Sequence, residues 1–322
     1  VDLGGTKVEA VVLDPEGRER VRRRRPTPRG YPATVEAVVA LIRAVEEEAG
    51  GRGTVGVGIP GTVSPVTGRI KNANSTWLNG MPLDRDLARR LGRPVRLMND
   101  ANCFVLSEAV DGAGAGADPV FGVILGTGVG GGLVVGGRIL AGSQRIAGEW
   151  GHTPLPRPGP EERPGPACWC GRRGCVETFL SGPGLAGDHA RVTGREWTPE
   201  EIAVRAGAGD PGARAALDRY AERLGRSLAV VVNLVDPEVV VLGGGLSNLP
   251  GLAHAAREAL APHVFTDEPT TRVARNRHGD SSGVRGAAWL WSREAPEGSV
   301  EARVRGTGET GGGAPEDGTG GG

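Results

Sequence analysis

Along this chain, short apolar runs that end in glycine alternate with longer stretches in which apolar residues recur every three or four positions. The opening "VDLGGTKVEAVVLD" predicts a strand, a glycine turn and a second strand over residues 8–13, which together make a hairpin. Almost nothing precedes Asp2, whereas a core strand has about five or six residues. The expectation is therefore either a preceding segment or an initiator codon read as valine. Helical spacing follows over residues 32–50, a buried strand over 54–61, another over 94–100, and a helix in "ANCFVLSEAV". A second cycle opens with "PVFGVILGTGVGGGLVVGGRIL", carries a long helix over 213–234, and closes with the strand "EVVVL" and a helix after Leu249. Strands alternating with helices predict an α/β fold. Residues 294–322 are rich in glycine and lack apolar periodicity, so the expectation for them is a disordered tail.

Both cycles start with glycines between two strands, where bare backbone N–H groups can approach an anion. An ordinary hairpin turn explains either loop alone, but two facing loops would grip one triphosphate. Residues 126–131 satisfy GxGxxG, yet strand rather than helix follows, so the dinucleotide reading fails. In "DLGGTK", Asp2 can hold the hydration shell of Mg²⁺, Thr6 can donate to phosphate and Lys7 can neutralise charge, with Gly4 and Gly5 exposing the backbone. Gly126, Thr127, Gly128, Gly130 and Gly131 form the second loop. A third cluster, Gly243, Gly244 and Gly245, could let a flat adenine lie against backbone.

Composition narrows the classes. The 322 residues carry zero formal net charge, so no basic field invites nucleic acid, and "RERVRRRR" at 18–25 reads as a solvated strand edge. No apolar segment approaches the ~20 residues of a membrane helix, and no leader pattern opens the chain, so the expected location is the cytoplasm. Lysine occurs only at positions 7 and 71, against 36 arginines, which marks both lysines as candidates for a point-charge task.

Asp100 lies in "MNDANC" where a strand gives way to a helix. It can cap that helix, or it can be the carboxylate that accepts a proton from an attacking hydroxyl, kept ionised by the helix N-terminus. His152, Cys168, Cys170 and Cys175 offer one imidazole and three thiols, with Gly171 and Gly174 shaping the turn, a closed tetrahedral set for a structural Zn²⁺. Cys103 reads as core packing. Glu149 and Glu177 flank the zinc ligands, so one metal would fix both carboxylates in one region as partners for sugar hydroxyls. "KNANSTWLNGMPL" adds Asn72, Asn74, Ser75 and Thr76, with Trp77 as a surface on which a sugar face could stack. The proline-rich stretch 153–167 has no assigned role.

Together, "DLGGTK", "GIPG", "NDANC", "GTGVGGG", "GEWGH", "CWCGRRGCVE" and "VLGGG" resemble, in order and spacing, the ROK family of sugar kinases over residues 1–291. That resemblance implies two RNase H-like domains of the actin and hexokinase type with the active site in the cleft between them. It implies a small domain of 1–112 with 283–293 and a large one of 113–282, Asp100 as general base, and Gly61 and Asn99 beside the sugar. His152 would border the sugar as well as hold zinc. Wording near 71–83 and "GDSSGVRGAAWLW" is similar to the fructokinase and mannokinase branch. The expected reaction is ATP- and Mg²⁺-dependent phosphorylation of D-fructose at the 6-hydroxyl, with glucose, mannose and N-acetylglucosamine as alternative acceptors. A homodimer is compatible with this reading. ROK-type repressors carry a helix-turn-helix before the first loop, and Asp2 opens that loop here, which disfavours a DNA-binding role. An actin-like ATPase would leave Glu149, the zinc set and Asp100 unexplained.

Overall fold

The computed structural model describes residues Val1–Trp291; the expected glycine-rich tail lies outside them. The first half runs β1 (Asp2–Leu3), β2 (Lys7–Leu13), β3 (Glu19–Pro26), α1 (Tyr31–Ala49), β4 (Val55–Ile59), the small ribbon of β5 (Thr62–Val63) and β6 (Ile70–Lys71), α2 (Leu83–Leu91), β7 (Val95–Asn99) and α3 (Asp100–Asp111). The second half runs β8 (Val120–Leu125), β9 (Val129–Val135), β10 (Arg138–Ile139), α4 (Glu177–Leu180), α5 (Gly182–Thr193), α6 (Pro199–Gly207), α7 (Pro211–Val235), β11 (Val239–Gly243), α8 (Leu252–Leu260), β12 (Arg272–Arg275) and α9 (Ser282–Ala288).

Each half forms one five-stranded sheet, ordered β3-β2-β1-β4-β7 and β10-β9-β8-β11-β12. In both, a three-stranded antiparallel meander is extended by two parallel strands. The duplicated cycle read from the sequence is thus a duplicated topology. β11 reads as an unbroken apolar run because helices cover both of its faces. Val240 and Leu242 join the core under α7 and α8, while Val239 and Val241 pack with Phe104 and Val105 of α3.

Local chemistry sets the helix ends. Pro32 stands in the first turn of α1 and Gly50 closes it in the left-handed conformation, while buried Val35, Val38, Val39, Ile42 and Val45 trace its inner face. Asp210 caps α7 by accepting the Ala213 N–H at 2.9 Å. The arginine run is β3, an edge strand as expected. Within it Arg22 and Arg24 reach back to Glu9, only 2% exposed, at 2.6 and 2.9 Å.

Two helices sit between the sheets. α3 leaves the first sheet and packs on β8 and β9 of the second, while α9, which follows the second sheet, packs on β4 and β2 of the first. They cross each other at Gly286, where any side chain would overlap the carbonyl of Cys103. Cys103 is fully buried there, as expected for a packing residue.

Candidate active site

Because β1, β4 and β7 are parallel, their C-terminal ends share one edge of the first sheet, and β8 and β11 do the same in the second. Such edges are where open α/β sheets bind ligands. Gly61 follows β4, Asn99 ends β7, Asp100 opens α3, and residues 126–128 turn β8 into β9. These positions line one cavity of about 230 Å³. The first half contributes Gly61, Asn74, Asn99 and Asp100; the second contributes Glu149, His152 and Glu177 over Gly126, Thr127, Gly128, Gly130 and Gly131. Residues far apart in sequence and expected to meet a sugar therefore share one wall.

The helix cap is Asn99, not Asp100. Its side-chain oxygen accepts the N–H groups of Ala101 at 2.9 Å and Asn102 at 3.3 Å, and its amide donates to the Gly61 carbonyl at 3.4 Å. Asp100 is thereby released for the cavity, although one of its oxygens still accepts the Ala101 N–H at 2.8 Å. The helix N-terminus expected to keep this carboxylate ionised works against stronger opposing influences. Burial first, then the neighbouring Asp2 and more weakly Glu149, push Asp100 up to about 6 against the Ala101 hydrogen bond. Burial also raises Asp2, and Glu149 is raised by the surrounding protein and by Glu177.

Gly61 occupies a close approach: with φ at 150°, a side chain there would meet Ala73 and the Lys71 carbonyl at 2.9 Å. The adjoining loop is braced by Asn79, which accepts the Ala73 N–H at 2.9 Å and donates to the Ala73 carbonyl at 3.0 Å. Sequence reasoning passed over Asn79, although the Asn-Gly pair marks a turn. Trp77 turns away from the cavity. Its indole N–H donates to Thr34 on α1 at 3.1 Å and its ring joins the first sheet's core. Lys71 reaches the Gln144 carbonyl at 3.1 Å.

The first glycine loop is held by Thr27. Its hydroxyl donates to the Gly4 carbonyl at 2.8 Å, its N–H donates to the Thr6 carbonyl at 2.9 Å, and the Gly4 N–H donates to the Lys7 carbonyl at 2.9 Å. Gly5, Thr6 and Lys7 are exposed at the turn. A second cavity, of about 800 Å³, shares Gly126 and Thr127 with the first and extends between α5, the segment Trp197–Thr198–Pro199, and Gly245. Gly243 faces Phe104 instead, and Gly244, with φ at 80°, lies against the Leu125 backbone. Of the three, only Gly245 lines this cavity.

The ligand atoms of His152, Cys168, Cys170 and Cys175 all lie within 4.8 Å of one another, the one such group among the described residues. Cys168 Sγ stands 3.6 Å from His152 Nδ1, and Cys170 Sγ 3.6 Å from Cys175 Sγ. Zinc with Zn–S bonds of ~2.3 Å puts tetrahedral sulfurs about 3.8 Å apart, so the donor set fits. Gly171 and Gly174 both have positive φ, 87° and 69°, as the tight knuckle requires. Glu177 ties this knuckle to the second glycine loop, accepting Trp169 Nε1–H at 2.7 Å and the Val129 N–H at 3.0 Å. Trp150, between Glu149 and His152, was not singled out from sequence. Its indole donates to the Gly130 carbonyl at 3.1 Å and packs edge-on against Phe121.

A family model described as "ROK family" matches residues 1–294. The N-acetyl-D-glucosamine kinase of Shigella boydii serotype 4 is 42% identical over 294 residues, covering 90% of this chain and 97% of that protein. Among solved structures, a ROK hexokinase from Thermus thermophilus superposes with TM-score 0.79 at 38% identity, covering 89% of this chain and 95% of its own. A ROK family glucokinase from Streptomyces griseus, in complex with glucose and AMPPNP, gives 0.74 at 30% identity over 90% of this chain and 97% of its own.

Proposed function

The chain belongs to the ROK family, and from that premise we propose that it is an ATP-dependent sugar kinase whose preferred acceptor is N-acetyl-D-glucosamine, phosphorylated at the 6-hydroxyl. The observation that carries the reading is the meeting of two cavities at Thr127: one lined by Asp100 and hydroxyl-binding side chains, the other roomy enough for a nucleotide. Acceptor and phosphate donor would meet at that junction, which is the positioning that phosphoryl transfer chiefly demands.

In this reading Asp100 accepts the proton of the attacking hydroxyl as its oxygen bonds to the γ-phosphorus of ATP and the bond from that phosphorus to the bridging oxygen breaks, releasing ADP. Gly61, Asn74, Asn99, Glu149, His152 and Glu177 orient the sugar, while the glycine loops of residues 126–131 and of Gly4 and Gly5, with Thr6 and Lys7, face the phosphates. Gly245 borders the adenine, with Gly243 and Gly244 supporting it from beneath. Mg²⁺, held through water by Asp2, would neutralise charge on the phosphates, and the structural zinc would be held by His152, Cys168, Cys170 and Cys175. The halves 1–112 with 283–293 and 113–282 are the bodies that bring acceptor and donor together.

Fructose, the acceptor expected from residues 71–83, finds no support among the relatives described above. The 42% identity to an N-acetyl-D-glucosamine kinase favours that amino sugar instead. A coupled assay of kcat/KM for N-acetyl-D-glucosamine, glucose, mannose and fructose tests the choice, with at least a tenfold advantage expected for the first over fructose. A higher value for fructose would restore the original acceptor, and ATP hydrolysis that no sugar stimulates would remove the kinase reading altogether.

A further inference from the structure

The residue between the first two zinc-site cysteines is a tryptophan, and its place in the fold is unusual for so large a side chain. Trp169 is 68% exposed although its neighbour Cys168 is buried. Two contacts hold it: the indole N–H donates to Glu177 Oε1 at 2.7 Å, and the ring stands edge-on to His152 with centroids 4.9 Å apart. It borders the 230 Å³ cavity, and it also borders a third cavity of about 570 Å³ formed under the proline-rich stretch, beside Arg163, Pro166 and Arg173. The two cavities share Thr127, Trp169 and Glu177. Thr127 is small, and both Glu177 oxygens are engaged by Val129 and Trp169, so the indole is the bulk of the partition.

We propose that Trp169 sets acceptor length, closing the sugar cavity against the larger one beside it so that free monosaccharides fit and sugars substituted at the anomeric oxygen do not. The proposal rests on the reading of this cleft as a sugar site. With the 6-hydroxyl held at Asp100, the opposite C1 end of a pyranose is left to the rest of the lining, which includes Glu177, His152 and Trp169. A glycosidic substituent there meets the indole face, and only removal of the ring connects it to the space beyond. Rejection of a longer ligand by a fixed obstacle is a form of specificity that needs no added attraction for the correct one.

Because the indole is mostly exposed, shortening it leaves no core void, and Trp169→Leu and Trp169→Ala are expected to fold and keep their metal, as melting and elemental analysis would verify. Calorimetric titration of N-acetyl-D-glucosamine and of N,N′-diacetylchitobiose into full-length zinc-loaded protein reads the effect. Wild type is expected to bind the monosaccharide at least tenfold more tightly than the disaccharide. Both variants should narrow that ratio by tenfold or more, whereas Trp169→Phe, which keeps a ring but loses the bond to Glu177, should weaken both ligands a few-fold and preserve the ratio. A purely structural role would weaken both ligands equally in every variant. Wild type that binds the disaccharide as tightly as the monosaccharide, or folded Leu and Ala variants with the wild-type ratio, would overturn the proposal. If the amino sugar itself fails to bind, the acceptor named above is wrong, and the same ratio is then measured with glucose and cellobiose.

Discussion

Asp100 shows how a single side chain can be held in readiness at a cost to the fold. Burial and the Asp2 carboxylate push it up to about 6, whereas in the unfolded chain an aspartate titrates near its ordinary value of about 3.9. The folded state therefore binds the proton more tightly, and this group's contribution to stability rises as pH falls from about 6 to about 4. Above pH 6 the charge on this half-buried carboxylate is a net burden. Asp100→Asn should accordingly raise the stability of the ligand-free protein by about 1–3 kcal/mol at neutral pH, an advantage that fades as pH falls from about 6 to about 4, as melting curves across pH would show. The same variant should lower kcat by on the order of 10²-fold or more. In the unaltered enzyme, kcat/KM should fall about tenfold per pH unit below about 6. A variant that is less stable at pH 7, or that turns over normally, would contradict the assignment.

At the scale of elements, two devices hold the second half of the site. The zinc knuckle carries Trp169 and leads directly into Glu177, so its collapse would release the sugar cavity first. The 800 Å³ cavity proposed for the nucleotide depends on α5, α6 and Gly245, which lie outside the knuckle. Chelation is thus expected to abolish sugar binding while nucleotide affinity stays within a few-fold, and elemental analysis should find one zinc per chain beforehand. The proline-rich stretch, unassigned from sequence, has a structural role. Its Glu162 is buried and bonds Arg223 at 2.7 Å and Arg226 at 3.0 Å, which anchors the stretch to α7. Arg223 also meets Asp188 of α5 at 3.1 Å. Because both arginines are less than a tenth exposed, Glu162→Ala should cost about 3–5 kcal/mol in denaturant unfolding. A loss of under 1 kcal/mol would show that water reaches these arginines.

At the scale of the whole molecule, the two sheets are joined through α3, which leaves the first sheet and packs on β8 and β9 of the second, and α9, which follows the second sheet and packs on β4 and β2 of the first. Small residues make this exchange feasible. A side chain at Gly286 would overlap the Cys103 carbonyl, and one at Gly56 would overlap the Ala287 carbonyl. Gly286→Ala should therefore destabilise the protein by about 1–3 kcal/mol and shift α3, lowering kcat through misplacement of Asp100 as well as lowering Tm. A variant with wild-type Tm would mean the helices can separate freely.

Much of this was legible in the residue order. Chain-local rules determined the strand and helix sequence, the caps at Gly50 and Asp210, the glycine turns, and the zinc set, because His152 and the three cysteines stand within one short segment whose glycines permit a tight knuckle. The duplicated strand-turn-strand pattern likewise announced two like sheets. Tertiary structure alone decided the rest. Asn99 rather than Asp100 caps α3, and Asp100 turns to the cavity, where burial and the charge of Asp2, a neighbour nearly a hundred positions away, act on it. Trp77, expected to face a sugar, lies on α1 because the turn after Ser75 directs its indole there, and the knuckle directs Trp169, for which no role was expected, to the 230 Å³ cavity. Gly243 lies against Phe104 because α3, a helix of the first half, crosses the second sheet. Hydrophobic periodicity shows that a helix has a face to bury, but which sheet receives it depends on contacts between distant segments, and only the folded chain brings those together.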